Sequence, residues 1–268
     1  MQPADLSQPF DDLRYERDGH IARITVNRPE RGNALTGAMH ARARAIWDDV
    51  RDDPEIRVAI VTATGERHFS TGADVDAVAA SGRVSSGDGP MTDEVFWSPR
   101  QNRVWKPVVT AVNGLVNGAG LHFVVDADIV VASTRAAFMD THVNVGMVGA
   151  IENIGLAKRL PLGTALRMTL QGRSFRLSAE RAYQLGLVDE LVAPEELLAT
   201  AERIAADIAQ NSPHAVALSK QAIWSSQEMG YQHAMEYGWA LLRMHWGHPD
   251  FTEGPRAFAE RRAPKWST

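Results

Sequence analysis

The chain contains no cysteine. Disulfides, thiolate metal sites and cysteine nucleophiles are therefore excluded, and a reducing compartment fits. It also lacks a long apolar run, since none approaches the roughly 20 residues of a membrane-spanning helix. The opening MQPADLSQPFDDLRYERDG is acidic and has no apolar stretch of the kind a signal peptide needs. An excess of basic charge is missing too: 28 Lys and Arg stand against 33 Asp and Glu, a net charge of −5. Phosphate backbones call for a basic surface, so no nucleic-acid partner is expected, although a local basic patch for a smaller anion is allowed. The expectation is a cytoplasmic protein with neither membrane nor nucleic acid as partner.

Several catalytic signatures are absent as well. Gly118-Ala-Gly120 could begin a dinucleotide-binding fingerprint, but the third glycine would fall on Phe123. There is no GxxxxGK[ST] phosphate loop and no GxSxG nucleophile elbow. Nine histidines include no HExxH pair, so no metal site is expected. No repeat of 20–50 residues is visible.

What is present is an ordinary globular composition, 44% apolar and 23% charged over 268 residues, enough for a large core. Residues 20–26 (HIARITV), 57–63 (RVAIVTA), 107–113 (PVVTAVN), 128–133 (DIVVAS) and 186–192 (GLVDELV) read as strands. Leu35, Met39, Ile46 and Val50 recur at helical spacing. Further helices are expected from 155, over 178–185, and through most of the chain after Pro194. Residues 79–90 are small, polar and rich in Gly and Ser, and read as a mobile loop or a plain surface insertion. Strands alternating with helices, then helices alone, imply an α/β core over 1–198 and a helical C-terminal region over 199–268.

The most informative segment is GLVNGAGLHFVVDADIVVAS, residues 114–133. Three glycines and an alanine within its first seven residues leave the backbone bare, and His122 stands directly after them. A second bare stretch, Ser70-Thr-Gly-Ala-Asp74, follows an apolar segment. Small residues let a ligand approach main-chain N–H groups closely, and a helix N-terminus favours negative charge. Two such N–H groups aimed at one point would form an oxyanion hole, where one donor is typically worth about 3 kcal/mol in the transition state. Each stretch alone is equally well a tight turn between packed elements.

The ordered set 27–35 (NRPERGNAL), 69–75 (FSTGADV), 106–120 (KPVVTAVNGLVNGAG), 128–133, 138–146, 170–192 and 253–266 resembles the crotonase (enoyl-CoA hydratase/isomerase) superfamily, including its actinobacterial branch. The resemblance runs from about residue 12 to 266. It implies a spiral of ββα units with a helical C-terminal trimerisation region, in trimers or dimers of trimers. It also implies an acyl-CoA thioester as ligand, with coenzyme A part of the substrate and no other cofactor. The N–H groups of Ala73 and Ala119 match the family's oxyanion hole, Ala119 replacing a common glycine. Arg31, Ala34, Gly72, Asp74, Gly118 and Gly120 are implied around substrate and CoA, and Arg28, Arg261 and Lys265 are further candidates for its phosphates. Asp74 is expected to turn its loop through bonds to backbone N–H groups, and Asp128 to be a cap or interface residue.

The shared step of that superfamily is stabilisation of a thioester enolate, and its hydratases use two glutamates. Here the matching positions hold His122 and His142. Three readings stay open. The histidines take over the acid/base work, for hydration or for attack on a carbonyl in C–C hydrolysis. Or Glu152 supplies a carboxylate from a neighbouring position, although a glutamate in a first helical turn is favourable through the dipole alone. Or the site only binds acyl-CoA. Asp140, two residues before His142, either orients it or is an exposed turn residue. The variable stretches 79–105 and 139–154 are expected to wall the acyl pocket.

Overall fold

The computed structural model describes residues 4–82 and 95–267. The chain opens with β1 (Leu13–Asp18), β2 (Ile21–Val26) and α1 (Gly37–Asp52). Three strand pairs follow, each leading into helix. β3 (Val58–Ala63) and β4 (His68–Ser70) lead to α2 (Val75–Ser81), and β5 (Val108–Val112) and β6 (Leu115–Asn117) to α3 (His122–Val125). β7 (Ile129–Ser133) and β8 (Ala137–Met139) lead to α4 (Ile151–Arg159) and α5 (Leu162–Gln171). Then come β9 (Leu177–Ser178), α6 (Ala179–Gln184), β10 (Glu190–Val192) and the helices α7 (Leu197–Ala209), α8 (Pro213–Ser226), α9 (Tyr231–Trp246) and α10 (Asp250–Ala259).

The first strand of each pair enters a six-stranded sheet, order β1-β2-β3-β5-β7-β10, and the second enters a four-stranded one, order β4-β6-β8-β9. Pairing is parallel except at β1/β2 and β8/β9. This is the expected α/β spiral of ββα units. Both faces of the large sheet are covered, which explains the unbroken apolar strands VAIVTA and VVTAV. Successive side chains alternate between faces. Ala59, Val61 and Ala63 enter the main core with Phe69, Phe123 and the α1 stripe Met39, Ala43, Ile46, Trp47 and Val50. Val58, Ile60, Val109, Ala111 and Val131 face the other way and are covered by Leu197, Ala201, Ile204 and Ala205 of α7. The division expected at 198/199 thus passes through a helix that packs on the sheet. No helix among the described residues is long and apolar enough to cross a membrane.

Several local expectations change. The helix expected from Gly155 begins at Ile151. Gly155 lies inside it because the helix crosses Val125 there: an added Cβ would sit 2.6 Å from Val125 Cγ2. The strand expected over 186–192 is only Glu190–Val192, since Gly186 is in a left-handed turn at φ +80°. Strand β1, unread in the sequence, forms because the β2 edge pairs with it from Leu13↔Val26 to Asp18↔Ile21. Of the loop expected at 79–90, residues 79–81 belong to α2, and 83–90 lie outside the described residues.

Candidate active site

Asn33, fully buried with φ +56°, pins the first bare loop. Its Oδ1 accepts from Arg28 N, and its Nδ2 donates to the carbonyls of Thr64 and His68. Leu35 and Ala73 then form a parallel bridge, in which Leu35 N donates to Gly72 O and Asp74 N to Leu35 O. The Ala73 N–H lies between these bonds and takes part in neither. The second loop ends in a 3-10 turn, Gly118–Leu121, with Ala119 in its first turn, where N–H groups have no intrahelical partner. Asn117 Nδ2 ties the loops together by donating to Thr71 O at 2.9 Å. Gly72, at φ +93°, is where they touch: an added Cβ would lie 3.0 Å from Asn117 O and 3.4 Å from Ala119 N. Gly120 admits Ser70 at similarly close range. Ala119 is outside the left-handed region, so its methyl group fits without strain.

Ala73 and Ala119 line one cavity of about 430 Å³ together with His122, His142 and Glu152. Its other wall is apolar, with Leu35, Val78, Val95, Trp97, Met147, Val148 and Ile151. The described parts of both stretches expected to wall the acyl pocket contribute to it.

The three candidate acid/base residues form a connected chain. Asp140 is fully buried, so it is not an exposed turn residue. Its Oδ1 accepts from His142 Nδ1 at 2.5 Å and its Oδ2 from Asn153 Nδ2 at 2.6 Å. An ionised carboxylate only accepts, so Nδ1 carries a proton and Nε2 of His142 faces the cavity side. There it meets Glu152 Oε1 at 3.2 Å, while Glu152 Oε2 lies 3.6 Å from His122 Nε2. The bond to Asp140 raises the His142 pKa above 6.5, against burial, and Glu152 adds to the rise. Burial pushes Glu152 up, with His142 opposing. Burial pushes His122 down to about 3, with His142 adding repulsion. His122 is therefore neutral, and its contact with Glu152 is not an ion pair. Burial opposes ionisation of Asp140, but the bonds from His142 and Asn153 hold its carboxyl below the usual value. His142 and Glu152 are thus in contact with both pKa values raised, so their titrations are coupled.

The expected CoA contacts divide. Gly72, Gly118 and Gly120 lie at the junction of the two loops, and Gly118 also abuts His142. Ala34 is buried and its carbonyl accepts from Arg28 Nη1. Asp74 does not turn its loop as expected. It is the N-cap of α2 without a side-chain cap bond, and its carboxylate instead pairs with Arg28 at 3.3 Å, with Arg31 at 3.8 Å. Arg28 also pairs with Asp12, so its charge is largely met within the protein. Arg31, half exposed, pairs with exposed Asp76 at 2.6 Å. Asp128 is structural: it accepts from Val108 N, Lys220 Nζ and Trp224 Nε1, which fastens α8 to the sheet. Sequence reasoning missed Asn33, Asn153 and Gly149. A Cβ on Gly149 would lie 2.5 Å from Asn153 Nδ2 and 2.7 Å from Asp140 Oδ2, so only glycine admits the relay. No spacing signal marks these residues, because their roles depend on how the loops and α4 pack together.

Two main-chain donors for which no described residue supplies an acceptor, beside a buried histidine–glutamate pair, can polarise a carbonyl and move a proton next to it. Comparison with known proteins agrees with that class. The enoyl-CoA hydratase/isomerase family profile matches residues 16–268. A crystal structure of an enoyl-CoA hydratase/isomerase from Mycobacterium paratuberculosis is 38% identical and superposes with a TM-score of 0.86, covering 97% of this chain and 99% of that one. An (E)-benzylidenesuccinyl-CoA hydratase from Thauera aromatica is 35% identical over 94% of this chain and 97% of its own length. A carnitinyl-CoA dehydratase from Escherichia coli K12 is 34% identical over 95% and 97%. The chain belongs to the enoyl-CoA hydratase/isomerase family and is a hydratase-like acyl-CoA enzyme of the crotonase superfamily.

Proposed function

We propose that the chain adds water to, or removes it from, the α,β double bond of an acyl-CoA thioester, using a histidine–carboxylate pair where hydratases of the superfamily use two glutamates. The thioester oxygen is held by the N–H groups of Ala73 and Ala119. Glu152 takes a proton from water as its oxygen bonds Cβ, and His142 Nε2 gives a proton to Cα. The proton then passes from Glu152 back to His142 across their 3.2 Å contact, restoring both groups. His122, neutral and buried, limits which face of Glu152 water can reach. Arg31, half exposed, is the cation available to a CoA phosphate, since its exposed pair with Asp76 is worth little and is easily exchanged. No cofactor beyond the CoA of the substrate enters this scheme.

The observation that carries this reading is the convergence of both loops and the Asp140–His142–Glu152 relay on one cavity. The hydratase and dehydratase names of the relatives support it. A second reading, C–C hydrolysis of a β-keto or cyclic-ketone CoA thioester, is favoured by one feature: a buried aspartate orienting a histidine is the arrangement that activates water for attack on a carbonyl. Mass spectrometry of CoA thioesters incubated with the enzyme in D2O separates them. Gain of water on an enoyl-CoA supports hydration. Cleavage of a β-keto substrate moves the assignment to hydrolysis, and binding without turnover or exchange leaves a binding protein. The wide apolar exposure of α8 and α9, with Ile223, Trp239 and Met244 each at least half exposed, supports a homotrimer or a dimer of trimers. The absence of cysteine supports a cytoplasmic setting.

A further inference from the structure

The C-terminal helices bring together three histidines that the acyl site does not use. His214 is the second residue of α8, His245 lies in the last turn of α9, and His248 is in the connection to α10. One ring nitrogen from each lies within 4.8 Å of the others, and all three residues are half-buried, within reach of solvent. Nδ1 of His214 and Nδ1 of His245 are 2.9 Å apart, and the His214 and His248 rings stack at 4.0 Å. Buried Asp250 stands behind His248, with Oδ2 3.8 Å from its Nδ1, and is itself held by Ser212 and Ser267. Phe251 packs edge-on against His245.

We propose that His214, His245 and His248 bind one first-row transition-metal dication of the zinc, cobalt or nickel class. Imidazole nitrogen suits these ions, and three such ligands leave a position for water. Metal–nitrogen bonds of about 2.0–2.1 Å place tetrahedral donors roughly 3.3 Å apart, inside the observed range of separations. The His214–His245 contact brings two ring nitrogens into one space: one donates and the other accepts, and when the ion takes the proton's place the donor ring carries its proton on Nε2 instead, so both imidazoles bind as neutral ligands. The main-chain N–H of Asp250 donates to His248 Nδ1 at 3.3 Å and fixes that ring. The bound ion would pin the start of α8 to the α9–α10 junction, about 30 residues away in sequence. No HExxH spacing announces the site, because His214 comes from a separate helix.

The test is a cobalt titration of the full chain carrying no histidine tag, followed by visible absorption and by zinc competition. The expected result is absorption that saturates at one ion per chain, disappears on adding zinc, and is accompanied by a rise in Tm with metal concentration. His214→Gln and His245→Gln should each weaken binding by about 10–100-fold or more. His233→Gln, on the exposed part of α9, should leave it unchanged. Absence of saturable absorption in the wild-type chain overturns the proposal without reference to any variant. So does saturable binding that survives His214→Gln and His245→Gln but is lost in His142→Gln, since the ion would then sit in the acyl pocket. If one variant fails to fold, His248→Asn takes its place.

Discussion

Two groups of histidines behave differently in this molecule. In the acyl pocket each imidazole meets a carboxylate: His142 lies between Asp140 and Glu152, and His122 beside Glu152. Among the C-terminal helices the imidazoles chiefly meet one another, with Asp250 behind. At His142, two carboxylates outweigh burial and favour the protonated ring, whereas at His122 burial wins. Neighbours of the same kind bring ring nitrogens together instead. The same side chain therefore serves proton transfer in one region and ligation in the other, by environment alone.

The largest break in this comparison should come from Glu152→Gln. It keeps the shape of the side chain but leaves nothing to take the proton, so kcat on the responsive substrate should fall by about 100- to 10,000-fold. Isothermal titration with a non-reactive acyl-CoA should show nearly unchanged affinity, and an unchanged kcat would remove Glu152 from the chemistry. Asp140→Asn comes next. The imidazole stays but loses its orienting partner, and kcat should drop by up to about 100-fold. The pH–rate limb belonging to His142 should also move to lower pH, a shift that a merely structural aspartate would not produce.

Gly149→Ala tests the packing of the relay. The methyl group would collide with Asn153 and Asp140, so a stability loss of about 1–3 kcal/mol is expected in denaturant melts, together with reduced kcat. The smallest effects sharpen the contrast within the pocket. His142 has a raised folded pKa, so its proton-linked stabilisation is complete below the unfolded value of 6.5 and is lost as pH rises through the folded value. His122 has its folded pKa lowered to about 3, so the unfolded chain binds the proton first and stability falls as pH drops below 6.5. The Tm difference between wild type and His142→Gln should therefore shrink with rising pH. The penalty from His122 should grow with falling pH and be absent in His122→Gln. Parallel Tm–pH curves for all three proteins would contradict both directions.

Much of the architecture was legible in the sequence. Strands β3, β5 and β7 announce themselves because both faces are covered and every residue is apolar or small. The two bare loops and His122 stand out by composition, and His142 by the resemblance to the superfamily. The short strands β4, β6, β8 and β9, of two or three residues, carry too few positions to show a period, and β1 exists because β2 had an edge to pair. Asp140 could be read as a turn residue or an orienter, and only its burial decides.

By itself, then, the sequence determined the alternation of strand and helix, the superfamily, and which residue types replace the usual glutamates. These depend on local pattern and on order along the chain. Tertiary structure alone decided that Ala73 and Ala119 face one cavity, that Glu152 sits between two histidines, that Asp74 answers Arg28 instead of capping, and that His214 meets His245 and His248. Each of these joins separate elements of the fold, most of them dozens of residues apart. The distance between such groups is set by how sheets and helices pack, a quantity that no local spacing encodes.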